Sequence, residues 1–497
     1  MSTLRFASRR ELVRGNPVLL ASAMLIVGLL VIMPPMMGGL ASGSWSGALI
    51  LTGGLAFVLL TTRSLFPATL ILVGLAAEAL GIFGEGSNLP YAQLLPGVRL
   101  TIRDALLLAL LPLAIVRLSR RPEPLLFWKP FVAVIGAIVV GLVIGVVADG
   151  DLKAPLNALR PLFGYALYPI VASAVDSRRK FSWFITSIVV VAALAVGIQV
   201  VEAVQGPLPF LGLPLAAGQA QAGVEVDGRN VPYVWNRAIW HLFISLFLAL
   251  GCILEWRLVR LSAVIALLGG VGFAIMLQRS WYLFIGVGTL AMLVACRSWA
   301  RRVRFAGLIG VGLGALTFIA ATTADLTESG YGSSFLDVWL GRAASLLSVQ
   351  QDASYQVRIS ELTQQWNGVL DSPLLGYGLS SDAQRLTIGL ANLDTGAVNT
   401  LLMFGFVGTA AFVGLVVCGW WQSLRLVRRL PPSRDRGYAL GLLGIWSGVL
   451  LGYGLNWDFL THPFGPWLVV LTLGVHDCLA RLSRPPFVAP TADPGLG

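Results

Sequence analysis

Charge is what this sequence has least of: only 12% of its 497 residues are charged, too few to give a soluble protein of that length a solvated surface. Lipid is therefore the expected solvent for much of the chain. Cysteine is equally sparse. Cys252, Cys296, Cys418 and Cys478 fall near the expected cytoplasmic ends of helices, where thiols stay reduced, and their scatter has no metal-ligand spacing. Neither a disulfide nor a metal site is predicted. Histidine occurs three times, as His241, His462 and His476. The chain has no P-loop, no glycine fingerprint following a strand, no zinc motif and no pair of catalytic cysteines, which argues against energy coupling by ATP and predicts no cofactor.

Hydrophobic residues, by contrast, make up 56% of the chain. In hydrocarbon every backbone polar group must be paired internally, so each apolar run of about 17 to 25 residues is expected to be a helix. The predicted fold is an all-α polytopic membrane protein with about fourteen transmembrane helices. Spans are expected to begin near Val18, Ser46, Leu65, Asp104, Pro130, Leu159, Ser182, Arg237, Leu261, Ser280, Phe305, Ala397, Tyr438 and Pro463. The apolar run from Leu261 to Cys296 is too long for one helix, and Gln278, Arg279 and Ser280 at its middle mark the tip of a hairpin, because a mid-membrane arginine is costly.

The net charge of +11 follows the same alternation. Most of the 35 basic residues fall in the segments expected inside, and most of the 24 acids outside. This is the positive-inside pattern; it predicts both termini in the cytoplasm and explains the charge without a nucleic-acid partner. The basic N-terminal flank followed by a long apolar run reads as an uncleaved anchor.

Two connections are long, and both lie on the outer side by this count. One is the Gly-, Pro- and Ala-rich loop 205–236; the other is the largely polar loop 324–396, placed between the eleventh and twelfth helices. Long connections in a compact protein often carry function. They divide the chain into an N-terminal bundle 1–236, a core 237–420 that includes the large loop, and a C-terminal helix pair with its tail, 421–497. Within the large loop Tyr355, Ile359, Leu362, Trp366 and Val369 draw one apolar stripe on a helix, with Arg358, Glu361 and Gln365 alongside. The helix is expected to stop at Asp371-Ser372-Pro373, before Gly376 and Gly378, glycines that let backbone approach a ligand closely.

The outer arginines are the most informative residues. Arg99, Arg103, Arg160, Arg229, Arg237, Arg279, Arg342, Arg358 and Arg385 all run against the positive-inside bias. A guanidinium is planar, stays charged at any working pH and matches phosphate oxygens, so the set points to a diphosphate at the outer surface. Pairing with the outer acids, or contact with lipid headgroups, is the plainer reading for any one of them.

The stretch from Arg229 to Asn399 resembles the core of the O-antigen ligase and O-antigen polymerase family, bacterial enzymes that join lipid-linked glycans outside the inner membrane. Four pieces carry the resemblance: Gly228-Arg229 followed by Asn236-Arg237; Gln278-Arg279-Ser280; Arg358, then Trp366, then Asp371-Ser372-Pro373-Leu374-Leu375-Gly376-Tyr377-Gly378; and Asn399-Thr400-Leu401-Leu402 with Gly405 and Gly408. The third is the most specific, and together they cover about a third of the chain.

The resemblance implies a membrane glycosyltransferase of exopolysaccharide, O-antigen or lipopolysaccharide biosynthesis in the cell inner membrane. Its substrate would be a polyprenyl diphosphate-linked oligosaccharide, and a chain-length regulator and other assembly proteins its partners. Arg279 and Arg358 are the expected diphosphate clamp, supported by Arg229, Arg237, Arg342 and Arg160. Trp366 offers a flat face for a sugar ring, and Gly376, Gly378 and Asn399 belong to the same substrate region.

Where many ligases carry a histidine before the asparagine, this chain has Val398, which exchanges no proton. Asp394 would then serve as the base, or else cap the following helix together with Thr395; His462 at the same face is a second candidate. The missing histidine tips the expectation toward a polymerase rather than a ligase. A flippase for lipid-linked oligosaccharide is the alternative, although no internal repeat is visible, and a noncatalytic scaffold is a third reading.

Overall fold

A computed structural model describes residues 64–75, 92–95, 98–100, 102–121, 125–205, 223–226, 229–232, 238–255, 260–276, 279–307, 310, 362–363, 365–388, 396–455, 460 and 465–483. The expected spans near Val18 and Ser46 lie outside these residues, as does most of the one near Phe305. The described helices are α1 (Phe66–Leu75), α2 (Ile102–Ser119), α3 (Trp128–Asp149), α4 (Lys153–Leu159), α5 (Leu167–Ala174), α6 (Arg178–Gln205), α7 (Ile239–Glu255), α8 (Arg260–Met276), α9 (Arg279–Ala295), α10 (Ser381–Ile388), α11 (Gly396–Arg429), α12 (Arg434–Leu455) and α13 (Gly465–Leu482).

Four of these, α3, α6, α11 and α12, are long and apolar enough to cross a membrane. Their surfaces support that reading. On α3, Val139, Val143 and Val147 are 52%, 56% and 78% exposed, and on α9 Val294 is 70% exposed, apolar area that only lipid accommodates. The protein is therefore a helical membrane protein.

Helix α12 forms the centre. Its glycines Gly437, Gly441, Gly444 and Gly448 lie along one side, and the backbones of α7 and α9 close on them: a Cβ at Gly441 would stand 2.5 Å from the Phe247 carbonyl oxygen, and one at Gly448 3.0 Å from that of Phe284. Small residues give close helix contact in lipid, where no hydrophobic effect drives helices together. Around them Trp281 packs edge to face on Trp240 at 5.7 Å and on Phe284 at 5.5 Å, with Phe243 and Phe273 against the same ring.

The span expected near Leu159 is not one regular helix. It runs as α4, a 3-10 segment Arg160–Ala166, then α5. Pro161 and Pro169 remove donors from the helical ladder, and Gly164 presses against Pro466 and Trp467 of α13, where a Cβ would stand 3.2 Å from Pro466. Two short antiparallel hairpins accompany the helices: β1 (Ala92–Leu95) with β2 (Val98–Leu100), and β3 (Gly223–Val226) with β4 (Arg229–Pro232). Each brackets a turn dipeptide, Pro96-Gly97 and Asp227-Gly228, the local signal for a hairpin in an otherwise helical chain.

Hydrogen bonds also sort the helix termini into two ends. Glu255, Arg301, Arg436 and Val427 meet at one, as do Arg178, Asp435 and Leu482, and Arg121, Ala172 and Arg481. This is the arginine-rich end. The β1–β2 hairpin, α4, α10 and the first turns of α7, α9, α11 and α13 belong to the opposite, loop-bearing end.

Candidate functional site

The site begins with a broken helix. Gly405 in α11 has φ 60° and ψ −169°, a conformation that side-chain-bearing residues rarely adopt, and it interrupts the helical ladder. The break frees the N–H groups of Phe406 and Val407 and the carbonyl of Leu402. In a membrane bundle water does not reliably take up such groups, so protein must. The segment after Asp371 supplies the partners: Phe406 N–H donates to the Pro373 carbonyl at 2.8 Å, Val407 N–H to that of Leu374 at 3.2 Å, and Tyr377 N–H to that of Leu402 at 2.8 Å.

Backbone can come this close only where side chains are absent. Gly376 (φ 70°) leaves no room for a Cβ, which would stand 2.5 Å from the Leu402 oxygen; at Gly378 (φ 66°) it would stand 2.5 Å from the Gly141 oxygen of α3. Leu379 N–H donates to that same Gly141 carbonyl at 2.8 Å. The Asp149 carboxylate at the end of α3 then accepts from the Ser381 N–H at 2.8 Å and from the Ser381 hydroxyl at 2.7 Å, capping α10. At Gly376 and Gly378, where a ligand was expected to approach, the backbones that approach are those of α11 and α3. The Asp371–Ser381 segment is a wedge that joins α3 to the broken α11.

Two of the sequence motifs therefore interlock. Val369, Val398, Leu401 and Leu402 form one buried cluster, with Leu362, Tyr377 and Leu386 packed on it. Asn399 is 1% exposed, and its Oδ1 lies 3.5 Å from Nε2 of Gln365. The apolar stripe expected on the loop helix is rotated accordingly: Gln365 is fully buried and Trp366 is 42% exposed, because the Gln365 amide meets Asn399 and Gly368 lets α11 approach. Trp366 thus has an open face. Beside this cluster, burial and then the Asp371 carboxylate raise the pKa of the Tyr377 phenol, so Tyr377 stays protonated toward Asp371.

A second constellation stands at the same end. Asp104, in the first turn of α2, is 1% exposed, and its Oδ2 lies 3.1 Å from Nε of Arg160. Arg103 Nε is 3.8 Å from the other oxygen, and its guanidinium carbon lies 4.7 Å from the centre of the Trp467 ring. Burying Asp104 without cations would cost several kcal/mol, so the arginines are there in part to hold it. Both guanidiniums meet the one carboxylate, on side chains that are 12% and 17% exposed. Such a pair can receive phosphate oxygens. Sequence reasoning named Arg103 and Arg160 but took Asp104 only as the start of a span; its position next to Arg103 in a first helical turn was the available signal.

The remaining candidates divide as follows. Arg279 begins α9 and Arg229 begins β4, but their side chains, like Arg237, Arg342, Arg358, Asp394 and His462 altogether, lie outside the described residues. Arg160 stands with Arg103 and Asp104, whereas Trp366, Gly376, Gly378 and Asn399 stand together on the wedge. His241 lies buried in α7, with Nε2 2.8 Å from the Val73 carbonyl, and His476 packs on Phe127 with Nδ1 3.4 Å from the Ser423 hydroxyl. Among the described residues no group of His, Cys, Asp and Glu is arranged to hold a metal ion. Comparison of the chain with protein-family models and with curated proteins finds no match.

Proposed function

We propose that this chain is a membrane glycosyltransferase that polymerises, or transfers, glycan units carried on a polyprenyl diphosphate at the outer face of the inner membrane. The proposal includes about fourteen spans, both termini in the cytoplasm and an active site at the loop-bearing end. What supports it is one observation: the wedge after Asp371 and the start of α11, two separate pieces of the family resemblance, are built as a single unit around Gly405.

In the reaction, the oxygen of an acceptor hydroxyl bonds to the anomeric carbon while the bond from that carbon to the diphosphate oxygen breaks. The hydroxyl proton goes to a base, for which Asp394 is the candidate, and the carrier diphosphate leaves. Arginines act on the leaving group, where charge develops, and preorganised cations there lower the barrier. Arg279 and Arg358 are the proposed clamp, with Arg160 a further phosphate contact, and Trp366 presents its open face to a sugar ring.

Deleting the gene and comparing lipid-linked glycans with surface polysaccharide tests the reading. Single repeat units without polymer are expected; finished polymer left on its carrier would assign a ligase instead. Arg279→Ala and Arg358→Ala should each abolish polymer while the protein inserts normally, and full-length polymer from both would overturn the clamp. The second reading, a transporter of the lipid-linked oligosaccharide, draws on the break at Gly405, since transporters use discontinuous helices at their binding sites. Repeat units trapped on the cytoplasmic face after deletion would favour it.

A further inference from the structure

At the arginine-rich end, two lipid-facing stripes converge on a group of exposed arginines. On α9 the exposed side chains are Leu290 (59%) and Val294 (70%), and the stripe runs on into exposed Arg297. On α11 they are Val417 (45%) and Trp421 (43%), followed by Arg425, Arg428 and Arg429, all exposed on the same side at steps of three and four. Both helices pack on α12, and Nη2 of Arg297 donates to the Arg428 carbonyl at 3.1 Å, bringing the ends of the two stripes together.

Among the described residues no acid neutralises the charges at this corner. Among the described residues the acids of this end are already engaged: Glu255 with Arg301 and Arg436, Asp435 with Arg178, Asp477 with Arg481, and Asp176 with Lys180. The side chains of Arg428 and Arg429 make no hydrogen bond or ion pair among the described residues, while Arg425 lies 5.1 Å over the Trp421 ring. An occupant of this corner must therefore carry negative charge at the level of the arginines and apolar length along the stripes below them. A free anion satisfies the first requirement only.

We infer that the α9–α11 corner binds an anionic phospholipid, its phosphate on Arg428 and Arg429 and its acyl chains along the stripes of α9 and α11. A guanidinium gives paired donors to phosphate oxygens, and Trp421, one turn before Arg425, puts an amphipathic ring between the apolar stripe and the arginines. A zwitterionic lipid brings the same phosphate with an ammonium group that opposes the arginines, so the site discriminates by net headgroup charge. The inference is independent of the glycosyltransferase reading, since it uses the other end of the molecule.

The test is native mass spectrometry of the purified full-length protein, delipidated and supplied with an equal mixture of phosphatidylglycerol and phosphatidylcholine. Wild type should retain phosphatidylglycerol several-fold over phosphatidylcholine. In Arg428→Gln/Arg429→Gln that preference should fall to near parity, while Arg428→Lys/Arg429→Lys keeps most of it. Arg120→Gln/Lys129→Gln, which removes charge elsewhere at this end, should leave it unchanged, and excess inorganic phosphate should not displace the lipid. Equal retention of both lipids by wild type would overturn the proposal even if the glutamine variant failed to fold. So would an unchanged preference in that variant, an equal loss in the Arg120/Lys129 control, or displacement by inorganic phosphate.

Discussion

The two ends of the bundle use arginine for different work. At the arginine-rich end guanidinium groups close helix C-termini: Arg436 Nε donates to the Val427 carbonyl at 2.8 Å, Arg121 to Ala172 and Ser173 at 2.8 Å each, and Arg178 to Leu482 at 2.6 Å. Those carbonyls have no partner within their own helices and carry the negative end of the helix dipole, so a cation there is favoured twice. At the loop-bearing end the freed groups of α11 are paired by the backbone of the wedge, and the described arginines Arg103 and Arg160 gather on Asp104 instead. Arginine thus closes helix ends at one end of the bundle and gathers on a buried carboxylate at the other.

Backbone pairing tolerates no side chain, so the largest effect is expected at Gly378. Gly378→Ala would force a Cβ against Gly141 in a left-handed conformation, and a loss of about 3 kcal/mol or more is expected, read as a lower thermal transition in detergent or as failure to accumulate. Tolerance of this change would break the contrast, because the wedge would then not be held by backbone contact. A smaller effect comes from the carboxylates that each sit between two arginines, one at each end. Asp104→Asn and Glu255→Gln should each cost about 2 to 3 kcal/mol by weakening the charge-assisted hydrogen bonds to their arginines. The two should differ in function: at matched folded protein, only Asp104→Asn is expected to reduce polysaccharide output. Equal output from both would remove Arg103 and Arg160 from the site. Asp149→Ala should cost least, about 1 kcal/mol, because it removes a surface cap from α10 and leaves the wedge in place. Hydrogen exchange confined to α10 would report it.

The helices themselves were legible. Spans expected near Leu65, Pro130, Leu261, Ser280, Ala397 and Pro463 coincide within a few residues with the starts of α1, α3, α8, α9, α11 and α13, since apolar length and flanking charge are local properties. The rotation that buries Gln365 and exposes Trp366 was not legible, because periodicity ranks residues by hydrophobicity and the amide is drawn inward by Asn399, a residue far along the chain. Asp104 escaped for a related reason: in sequence it neighbours only Arg103, and its closer partner Arg160 lies across the bundle.

What the sequence by itself determined is that this chain lives in lipid as a helical bundle, and that two of its motif segments carry the glycines at which backbones could meet. Only the tertiary structure decided which backbones those are. Gly376 and Gly378 show in sequence that a close approach is allowed there, but it takes the packed bundle, with α11 broken at Gly405 and its freed groups paired by protein backbone, to bring Leu402 and Gly141 to them.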